Sequence, residues 1–252
     1  MKAIRIDRLG GPEVLQLADV PVPEPGPGQV RVRQSVAGIN FIDVYLRTGL
    51  YKTELPFIPG REGAGVVDAV GEGVTSVKPG DRVAYTLTAS NGGYAESNVI
   101  PESMAVPIPA DVDERSAAAL MLQGLTAHYL ATDTFPLKPG NVALIHAAAG
   151  GVGALLVQIA KVRGARVIAT VGTKEKAQIA RDAGADDVIV YAENDFAEAT
   201  AMLVGPKKID VAYDSVGKET WERSMSLLRP RGMLVLFGNS SGPVPPIDPA
   251  RL

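Results

Sequence analysis

The chain contains 252 residues, of which 46% are hydrophobic and 21% charged, and its formal net charge at pH 7 is −3. This length can bury a complete hydrophobic core in one or two domains. The slightly acidic balance provides no broad basic surface for nucleic acid or for an anionic membrane. The chain has no cysteine and 2 histidines, which excludes disulfides, thiolate catalysis, cysteine-ligated zinc and a histidine-rich metal site.

The N-terminal residues predict a strand and not a targeting segment. Residues 1–7 alternate between apolar and charged side chains, and they contain no apolar signal-peptide core. No apolar run in the sequence reaches the length of a membrane-spanning helix. We therefore expect a cytoplasmic protein that does not associate with membranes.

Residues 1–110 predict a β-rich domain. Short alternating runs are separated by segments rich in proline and glycine, such as 21–28 and 78–81. The predicted strands cover residues 2–6, 30–36, 63–70 and 82–84. This spacing favours a small, partly open barrel. From about Asp113 the sequence becomes rich in alanine and predicts two helical stretches, 113–122 and 126–133, as a bridge between domains.

The segment 141–153 predicts the first βα unit of a dinucleotide-binding fold. An apolar strand leads through small residues into a helix, where Gly150 lets the backbone approach a pyrophosphate and Gly153 lets the helix pack closely on the strand. The pyrophosphate would lie on the free N–H groups at the helix start. Ala148 occupies the position of the first glycine in the usual G-x-G-x-x-G pattern, and a plain strand-to-helix turn would also fit. The elements that follow in the sequence therefore determine which of these two interpretations is favoured.

The remaining sequence repeats the same strand–helix alternation. Near-continuous apolar strands between helices predict a parallel sheet covered on both faces. The predicted strands are 142–146, 166–171, 187–191, 209–214 and 232–237, and the predicted helices are 152–163, 174–183, 195–203 and 218–228. A doubly wound sheet of six strands would need one more, so we expect either a smaller sheet or a chain truncated at its C-terminus.

The end of the second predicted strand favours NADP over NAD. An NAD site has a carboxylate about 20 residues after the glycine turn to accept the ribose hydroxyl. Here Gly172 and Thr173 occupy that place, and Lys174 and Lys176 follow at once. These cations would attract a 2′-phosphate, and Glu175 is expected to point to the other side of the helix turn. The alternative is that the lysines only form a solvated helix start.

Few other side chains suggest a catalytic or ligand-binding role. Asp43 is expected to cap a helix, and Asn40 fits either a ligand contact or a turn. Tyr45 and Tyr51 would line a pocket for a flat ring or pack in an ordinary way. His146 is expected to lie in the sheet layer with its hydrogen bonds satisfied. No Ser-His-Asp order or Tyr-x-x-x-Lys motif is present, so a cofactor would carry the reaction while the protein supplies position and electrostatics.

Several motifs together resemble one known family. They are Gly10-Gly-Pro-Glu-Val-Leu15, Gly38-Ile-Asn-Phe-Ile-Asp43, Arg47-Thr-Gly-Leu-Tyr51, Gly124-Leu-Thr126, His146-Ala-Ala-Ala-Gly-Gly-Val-Gly153, Tyr213-Asp-Ser-Val-Gly217 and Phe237-Gly-Asn-Ser-Ser-Gly242. The chain resembles the NADPH:quinone oxidoreductases, the zeta-crystallin-like branch of the zinc-free medium-chain dehydrogenase/reductase superfamily.

This resemblance implies an α/β protein with two domains. Residues 1–120 would form a GroES-like catalytic domain that binds the substrate, and residues 121–252 would form a doubly wound Rossmann domain that binds NADP(H). The family continues further, so a final strand, the usual homodimer edge, and a return segment would be absent.

The resemblance also implies that no metal is bound. Zinc alcohol dehydrogenases of this superfamily carry Cys where this chain has Asn40, and His where it has Arg61. Without a Lewis acid to polarise an alcohol, alcohol oxidation is not expected.

The resemblance implies a set of site residues. Asn40 and Thr126 would lie near the nicotinamide, and Tyr45 and Tyr51 would line the quinone pocket. Gln123 stands where relatives often carry Lys, which would weaken charge pairing with the cofactor. The other implied cofactor-binding residues are Gly150, Gly151, Val152, Gly172, Thr173, Lys176, Tyr191, Ser215, Phe237, Gly238, Asn239 and Ser240.

The implied function is metal-independent reduction of a quinone by NADPH, through transfer of hydride or of single electrons. One alternative is an enal or enone reductase of the same superfamily, which reduces a C=C bond next to a carbonyl. Another is a non-catalytic protein that binds nucleotides or RNA or has a structural role. The lack of a basic patch interleaved with aromatic residues argues against RNA as the main ligand.

Overall fold

A computed structural model describes residues 1–87 and 91–248. The chain divides into two compact units, Met1–Leu122 and Gln123–Leu252.

The first unit is built from antiparallel strands. Its strands are β1 (Lys2–Arg5), β2 (Gln16–Asp19), β3 (Gln29–Ala37), β4 (Glu62–Val70), β5 (Arg82–Thr86), β6 (Ser97–Pro101) and β7 (Val106–Pro107). β1 and β2 form a hairpin, and the others form a 5-stranded sheet in the order β6-β3-β4-β5-β7. The four predicted runs are confirmed as β1, β3, β4 and β5, whereas β2, β6 and β7 were not predicted.

The core of the first unit follows from the alternation of side chains along these strands. Val30 and Val32 of β3, Val83 and Tyr85 of β5, and Ile100 of β6 are all fully buried in one cluster. Side chains two residues apart on a strand point to the same face, so this periodicity places one face of the sheet against the core.

Helix α1 (Phe41–Thr48) lies between β3 and β4 in the chain. It ends at Gly49, whose φ of 82° is left-handed, a conformation that glycine adopts without steric cost at a helix C-terminus. The helix begins directly after Asn40, one of the predicted site residues.

Helix α2 (Glu114–Tyr129) corrects the prediction of two separate helical stretches. It is one continuous helix through Gly124, and a π-helical segment, Leu130–Thr134, follows it. A single glycine costs about 1 kcal/mol in a helix interior, and the surrounding alanine and leucine residues offset this cost. None of the helices in residues 1–87 and 91–248 is long and apolar enough to cross a bilayer.

The second unit has the doubly wound architecture that the alternation predicts. Its strands are β8 (Val142–Ile145), β9 (Arg166–Val171), β10 (Asp187–Val190), β11 (Ile209–Asp214) and β12 (Leu228–Leu236). Its helices are α3 (Gly151–Val162), α4 (Lys174–Asp182), α5 (Phe196–Val204) and α6 (Trp221–Leu227). The strands form a parallel 5-stranded sheet in the order β10-β9-β8-β11-β12.

The predicted start of the last strand is wrong by several residues. The helix predicted to reach residue 228 ends at Leu227, and β12 begins at Leu228 and not at residue 232. Pro230 follows closely, and proline both lacks an N–H and excludes the helical conformation from the residue before it. The chain therefore leaves the helix early and enters the strand.

The sheet is buried on both faces, which explains why its strands are mostly apolar. Leu156 of α3 and Ala177 of α4 belong to the core cluster on one face, together with Ile145 of β8. Phe196 of α5 belongs to the cluster on the other face, together with Leu144 of β8. Parallel sheets are usually covered in this way, and their carboxyl ends form one edge.

Candidate functional site

The turn between β8 and α3 has the close packing that the sequence predicts. A Cβ on Gly153 would lie 2.3 Å from the carbonyl oxygen of Ala147 and 2.8 Å from the Cα of Ala148, so a side chain has no space there. Ala147 itself has a φ of 49°, which is uncommon for a residue with a side chain and marks a constrained turn. Helix α3 therefore begins directly against the backbone of the turn.

The N-terminus of α3 has two features that are typical of anion-binding helix starts. Gly150 is its N-cap residue and has no side chain to cap the helix, and no acidic residue lies in the first turn. The N–H groups at a helix start need partners outside the helix, and the helix dipole favours negative charge there. Gly150, Gly151 and Val152, the residues predicted for the pyrophosphate, form this helix start.

The side chain of Gln123 lies against Gly151. A Cβ on Gly151 would lie 2.0 Å from Oε1 of Gln123, so the absence of a side chain at Gly151 makes space for this amide. Thr126 follows three residues later on α2, a spacing that puts two residues on the same helix face. The structure thus brings Gln123, a predicted cofactor residue, to the start of α3.

A second group of predicted residues meets where β9 and β10 end. The hydroxyl oxygen of Tyr191 lies 3.0 Å from the position of a Cβ on Gly172, so glycine allows the ring to approach the backbone. Thr173 is the N-cap of α4 and accepts a hydrogen bond from the N–H of Lys176 at 3.3 Å. Gly172, Thr173, Lys176 and Tyr191 therefore form one corner, here called the β9–α4 corner.

Charges in the β9–α4 corner differ from the prediction in one respect. Glu175 was expected to point away, but its carboxylate lies beside the Thr173 hydroxyl, and this hydrogen bond lowers the pKa of Glu175. The start of α4 favours a carboxylate through the helix dipole. Lys174 pairs with Glu193 at 3.0 Å, whereas Lys176 has no ion pair within the described ranges 1–87 and 91–248. Of these two lysines, Lys174 is therefore the one that an ion pair engages in the described residues.

The turn after β11 is organised by Asp214, which the sequence reasoning did not select. One carboxylate oxygen of this buried residue accepts hydrogen bonds from the N–H groups of Val216 at 2.8 Å and Gly217 at 2.9 Å. The other accepts from the hydroxyl of Thr220 at 2.7 Å. Asp, Ser and Gly are enriched in turns, and all three occur in residues 214–217, but this composition does not reveal that the carboxylate is buried.

Two loops that hold the last predicted residues bind each other through their backbones. The N–H of Ser240 donates to the carbonyl of Ser215 at 3.2 Å, and a Cβ on Gly238 would lie 2.7 Å from that same oxygen. Phe237 donates its N–H to the carbonyl of Asp214 at 2.9 Å. The structure thus brings together five predicted cofactor residues, which are Ser215, Phe237, Gly238, Asn239 and Ser240.

His146 has the buried, hydrogen-bonded position that the sequence predicts. Its ring is 1% exposed, and its nitrogens lie 2.8 Å from the hydroxyl of Thr170 and 2.7 Å from that of Ser224. Burial lowers the pKa of His146 to about 4, although the negative charge of Asp214 opposes this effect. His146 is therefore neutral near pH 7 and is not suited to carry a proton to a substrate.

In the first unit, Asn40 is held by a buried carboxylate. The Nδ2 group of Asn40 donates to Oε1 of Glu62 at 2.8 Å, and Oε2 of Glu62 accepts the N–H of Leu122 at 2.8 Å. Burial raises the pKa of Glu62, although these hydrogen bonds oppose the rise. A Cβ on Gly38 would lie 1.9 Å from Oε1 of Glu62, so glycine makes space for the carboxylate. Sequence reasoning missed Glu62, which fixes the orientation of the Asn40 amide.

Asp43 has the capping role that the sequence favours. Its carboxylate accepts the N–H of Asn40 at 3.0 Å, the hydroxyl of Tyr94 at 2.8 Å and the N–H of Gly60 at 3.2 Å. Burial and the charge of Asp43 raise the pKa of Tyr94. Asp43 therefore joins the start of α1 to two other segments of the first unit, which is a structural role.

Three aromatic rings form a row along α1 and the segment that follows it. The ring centroids of Phe41 and Tyr45 are 5.4 Å apart, and those of Tyr45 and Tyr51 are 5.1 Å apart. Phe41 is 56% exposed and Tyr51 39% exposed, whereas Tyr45 is buried. The structure thus brings the two predicted tyrosines together and adds Phe41, which the sequence reasoning missed although its i, i+4 spacing from Tyr45 was a signal.

Arg61 is the residue for which the family resemblance implies a histidine ligand in zinc alcohol dehydrogenases. Its Nε donates to the side-chain oxygen of Asn91 at 3.0 Å. Burial lowers the pKa of Arg61, and the charge of Asp43 opposes this change. Within the part of the chain that the structure describes, no group of three or more His, Cys, Asp or Glu side chains is arranged to hold a metal ion.

Both units match known families. Residues 26–110 match the alcohol dehydrogenase GroES-like domain, and residues 151–252 match the zinc-binding dehydrogenase family. The quinone oxidoreductase of Pseudomonas aeruginosa is 50% identical to this chain over 244 residues, which cover 96% of this chain and 75% of that protein. The 2-haloacrylate reductase of a Burkholderia species is 44% identical over 248 residues, which cover 96% of this chain and 74% of that protein.

A solved structure shares the fold. The quinone oxidoreductase of Escherichia coli, determined in complex with NADPH, superposes with a TM-score of 0.96 at 45% identity and covers 100% of this chain and 77% of that one. The chain thus spans about three quarters of the length of these relatives. It belongs to the quinone oxidoreductases, a zinc-free branch of the medium-chain dehydrogenase/reductase superfamily that combines a GroES-like domain with a Rossmann domain.

Proposed function

We propose that this chain is a metal-independent quinone reductase that uses NADPH and transfers hydride or single electrons to a quinone. The observation that carries the proposal is the glycine turn before α3, where Gly153 leaves no space for a side chain and the helix start has neither a capping side chain nor an acidic residue in its first turn. The relatives that bear the name quinone oxidoreductase, at up to 50% identity, support the same reading.

NADPH is the proposed cofactor because the β9–α4 corner suits a phosphate better than a ribose hydroxyl. No carboxylate stands at residues 172 and 173, and Lys176 follows within the first turn of α4. The Escherichia coli relative was crystallised with NADPH. When bound, NADPH supplies the reducing equivalents, and the residues of this chain bind and orient the reactants.

The predicted cofactor residues have proposed roles at different parts of the nucleotide. Gly150, Gly151 and Val152 hold the pyrophosphate at the start of α3. Gln123 and Thr126 of α2, and the paired loops after β11 and β12, contact the remainder of the nucleotide. Gly172, Thr173, Lys176 and Tyr191 hold the adenosine ribose and its 2′-phosphate. Asn40 contacts the cofactor with an amide whose orientation Glu62 fixes.

The row of Phe41, Tyr45 and Tyr51 is proposed to contact the quinone. Aromatic rings stack favourably on flat conjugated rings, and Phe41 and Tyr51 are exposed. A quinone accepts electrons readily, so this site does not need a strong general acid. The neutral state of His146 is consistent with that chemistry.

A second candidate is reduction of a C=C bond next to a carbonyl or carboxylate. The observation that favours it is the 44% identity with a 2-haloacrylate reductase. The two activities are separated by NADPH oxidation measured with a para-quinone, with an alkenal and with 2-haloacrylate as acceptors. We expect turnover with the quinone to be the fastest. Turnover of the alkenal or haloacrylate alone would overturn the quinone assignment in favour of this candidate.

The proposal extends to assembly and location, as a homodimer in the cytoplasm. The homodimer follows from the family resemblance, which places the dimer edge on a strand beyond β12. In the described residues β12 is an outer strand of its sheet, and Met233 and Leu236 on it are exposed, so its edge is open to pairing with a further strand. Light scattering tests the dimer. The rival hypothesis of a nucleic-acid binder predicts salt-dependent retention on RNA, which the net charge of −3 disfavours.

A further inference from the structure

Five polar side chains that the proposed reaction does not use are buried together at the carboxyl ends of the second sheet. They are His146, Thr170, Asp214, Thr220 and Ser224, and each is at most 7% exposed. Buried polar groups cost free energy unless they are hydrogen-bonded. All five are hydrogen-bonded to another member of the group, so together they form one network, here called the His146–Asp214 network.

The direction of each hydrogen bond in the network can be assigned. The hydroxyl of Ser224 donates to the carbonyl of Thr220 at 2.8 Å, so its oxygen accepts from Nε2–H of His146 at 2.7 Å. Nδ1 of the same neutral ring then accepts from the hydroxyl of Thr170 at 2.8 Å. This arrangement assigns the Nε2-protonated tautomer and fixes the ring plane.

The other end of the network fixes the backbone conformation of the turn after β11. The hydroxyl of Thr220 donates to Asp214 at 2.7 Å, and Asp214 accepts the N–H groups of Val216 and Gly217 at 2.8 and 2.9 Å. The carbonyl of Val216 in turn accepts the N–H of Ser241 at 2.8 Å. A displacement of Asp214 would therefore move both loops that contain the last predicted cofactor residues.

The network touches three neighbouring strands next to the proposed nucleotide site. Thr170 lies two residues before Gly172, His146 directly precedes the glycine turn, and Asp214 precedes Ser215. Their strands β9, β8 and β11 are adjacent in the sheet. Ligands of such sheets bind outside the carboxyl ends of the strands, so a single buried network sets the relative positions of three segments of that site.

We infer that the His146–Asp214 network positions the turns that hold the dinucleotide, so that its members control cofactor affinity without touching the cofactor. This inference rests on the proposed function, because it concerns the same nucleotide site. Removal of one hydroxyl leaves a buried partner unsatisfied, and the remaining groups must move to find water or another partner.

The test compares three variants in nucleotide binding and turnover. Thr220→Val removes the hydroxyl that donates a hydrogen bond to Asp214, whereas Thr220→Ser retains a hydroxyl there. Thr200→Val is the matched control, because Thr200 is equally buried but its hydroxyl has no hydrogen-bond partner in the described residues. Dissociation constants for NADPH and NADH are measured by cofactor fluorescence, and KM and kcat are measured with a quinone.

We expect Thr220→Val to weaken NADPH and NADH binding by the same factor, about tenfold, and to raise KM for NADPH with kcat within about twofold of wild type. Thr220→Ser and Thr200→Val should bind as wild type does. A merely structural role would change the thermal stability of Thr220→Val but not the affinity of the folded protein. If Thr220→Val does not fold, Ser224→Ala is tested instead. It leaves Nε2–H of His146 unpaired, and we expect it to weaken NADPH and NADH binding in the same way.

Unchanged nucleotide affinity in a folded Thr220→Val or Ser224→Ala variant would overturn the inference alone. Wild-type protein that is folded but binds neither nucleotide would overturn the proposed function and the inference with it. A loss of affinity in Thr200→Val equal to that in Thr220→Val would also overturn the inference, because the effect would then not depend on the network.

Discussion

At the scale of single residues, three buried carboxylates beside predicted site residues are matched by hydrogen bonds. Asp43, Glu62 and Asp214 are each nearly inaccessible to solvent, and each accepts at least two hydrogen bonds from N–H or O–H groups. Such bonds compensate the loss of water around a carboxylate. The side chains that these carboxylates hold are therefore oriented before any ligand arrives.

Glu175 offers a test of the charge balance in the β9–α4 corner. Its carboxylate beside Thr173 would repel a 2′-phosphate, so Glu175→Gln should bind NADPH about twofold to fivefold more tightly, as expected for an exposed charge. NADH affinity should not change, because NADH lacks that phosphate. Titration of both nucleotides checks this, and an equal change for both would contradict the electrostatic explanation.

Glu62→Gln tests how Asn40 is oriented. A neutral amide cannot accept both the Asn40 side chain and the N–H of Leu122 as the carboxylate does, so we expect a loss of about 1–3 kcal/mol of stability. We also expect lower kcat/KM in quinone reduction. Urea unfolding and steady-state kinetics measure the two effects, with the exposed Glu198→Gln as the control. Unchanged activity would show that the orientation of Asn40 does not matter.

His146 predicts a dependence of stability on pH. Its pKa is about 4 in the folded chain and about 6.5 in an unfolded chain. Between these values the unfolded chain binds a proton that the folded chain does not, so the free energy of unfolding falls as the pH is lowered from about 6.5 to 4. The complete loss is about 3 kcal/mol, and above pH 6.5 His146 has no effect.

His146→Gln should remove this contribution, so its stability should decrease less than that of wild type over the same pH range. His128→Gln is the control, because His128 is exposed and its substitution should retain the wild-type slope. Urea unfolding at a series of pH values gives the three curves. Parallel curves for wild type and His146→Gln would show that the low pKa of His146 does not control acid stability.

At the scale of elements, the important contact is that between α3 and the turn before it. Gly153→Ala would place a Cβ 2.3 Å from the carbonyl of Ala147, and the backbone on both sides limits relaxation. We expect a loss of about 1–3 kcal/mol in unfolding free energy and weaker nucleotide binding. Gly26→Ala is the control, because its new Cβ would only contact the flexible end of Gln29 at 3.2 Å. Equal thermal stability of the Gly153→Ala variant and wild type would contradict the close packing.

The elements also show which structural signals can be read from a sequence. β8, β9, β10 and β11 were predicted to within one residue at either end because strands covered on both faces form near-continuous apolar runs. β6 and β7 were missed because they are the outer strands of their sheet, where polar and proline residues interrupt the alternation. α2 was predicted as two stretches, 113–122 and 126–133, whereas the helix formers around Gly124 continue one helix through it.

At the scale of the whole molecule, what the sequence does not show is contact between distant residues. The motifs predicted the glycine turn, the β9–α4 corner and the loops after β11 and β12. They did not predict that Glu62 holds Asn40 and accepts from Leu122, which is 60 residues away. Nor did they predict the hydrogen bond between His146 and Ser224, which are 78 residues apart. Local propensity carries no information about such pairs.

The assignment of an NADPH-dependent quinone oxidoreductase depends most on which cofactor binds. The most direct test is a fluorescence titration with NADPH and NADH of purified wild type, Lys176→Ala and Lys174→Ala, each verified by intact mass. We predict tighter binding of NADPH than of NADH, a preference that Lys176→Ala reduces by about tenfold, as a charge-assisted contact with phosphate requires. Lys174→Ala should retain most of it, because Lys174 already pairs with Glu193. Equal affinity for both nucleotides, or no binding by the folded wild-type chain, would contradict the account.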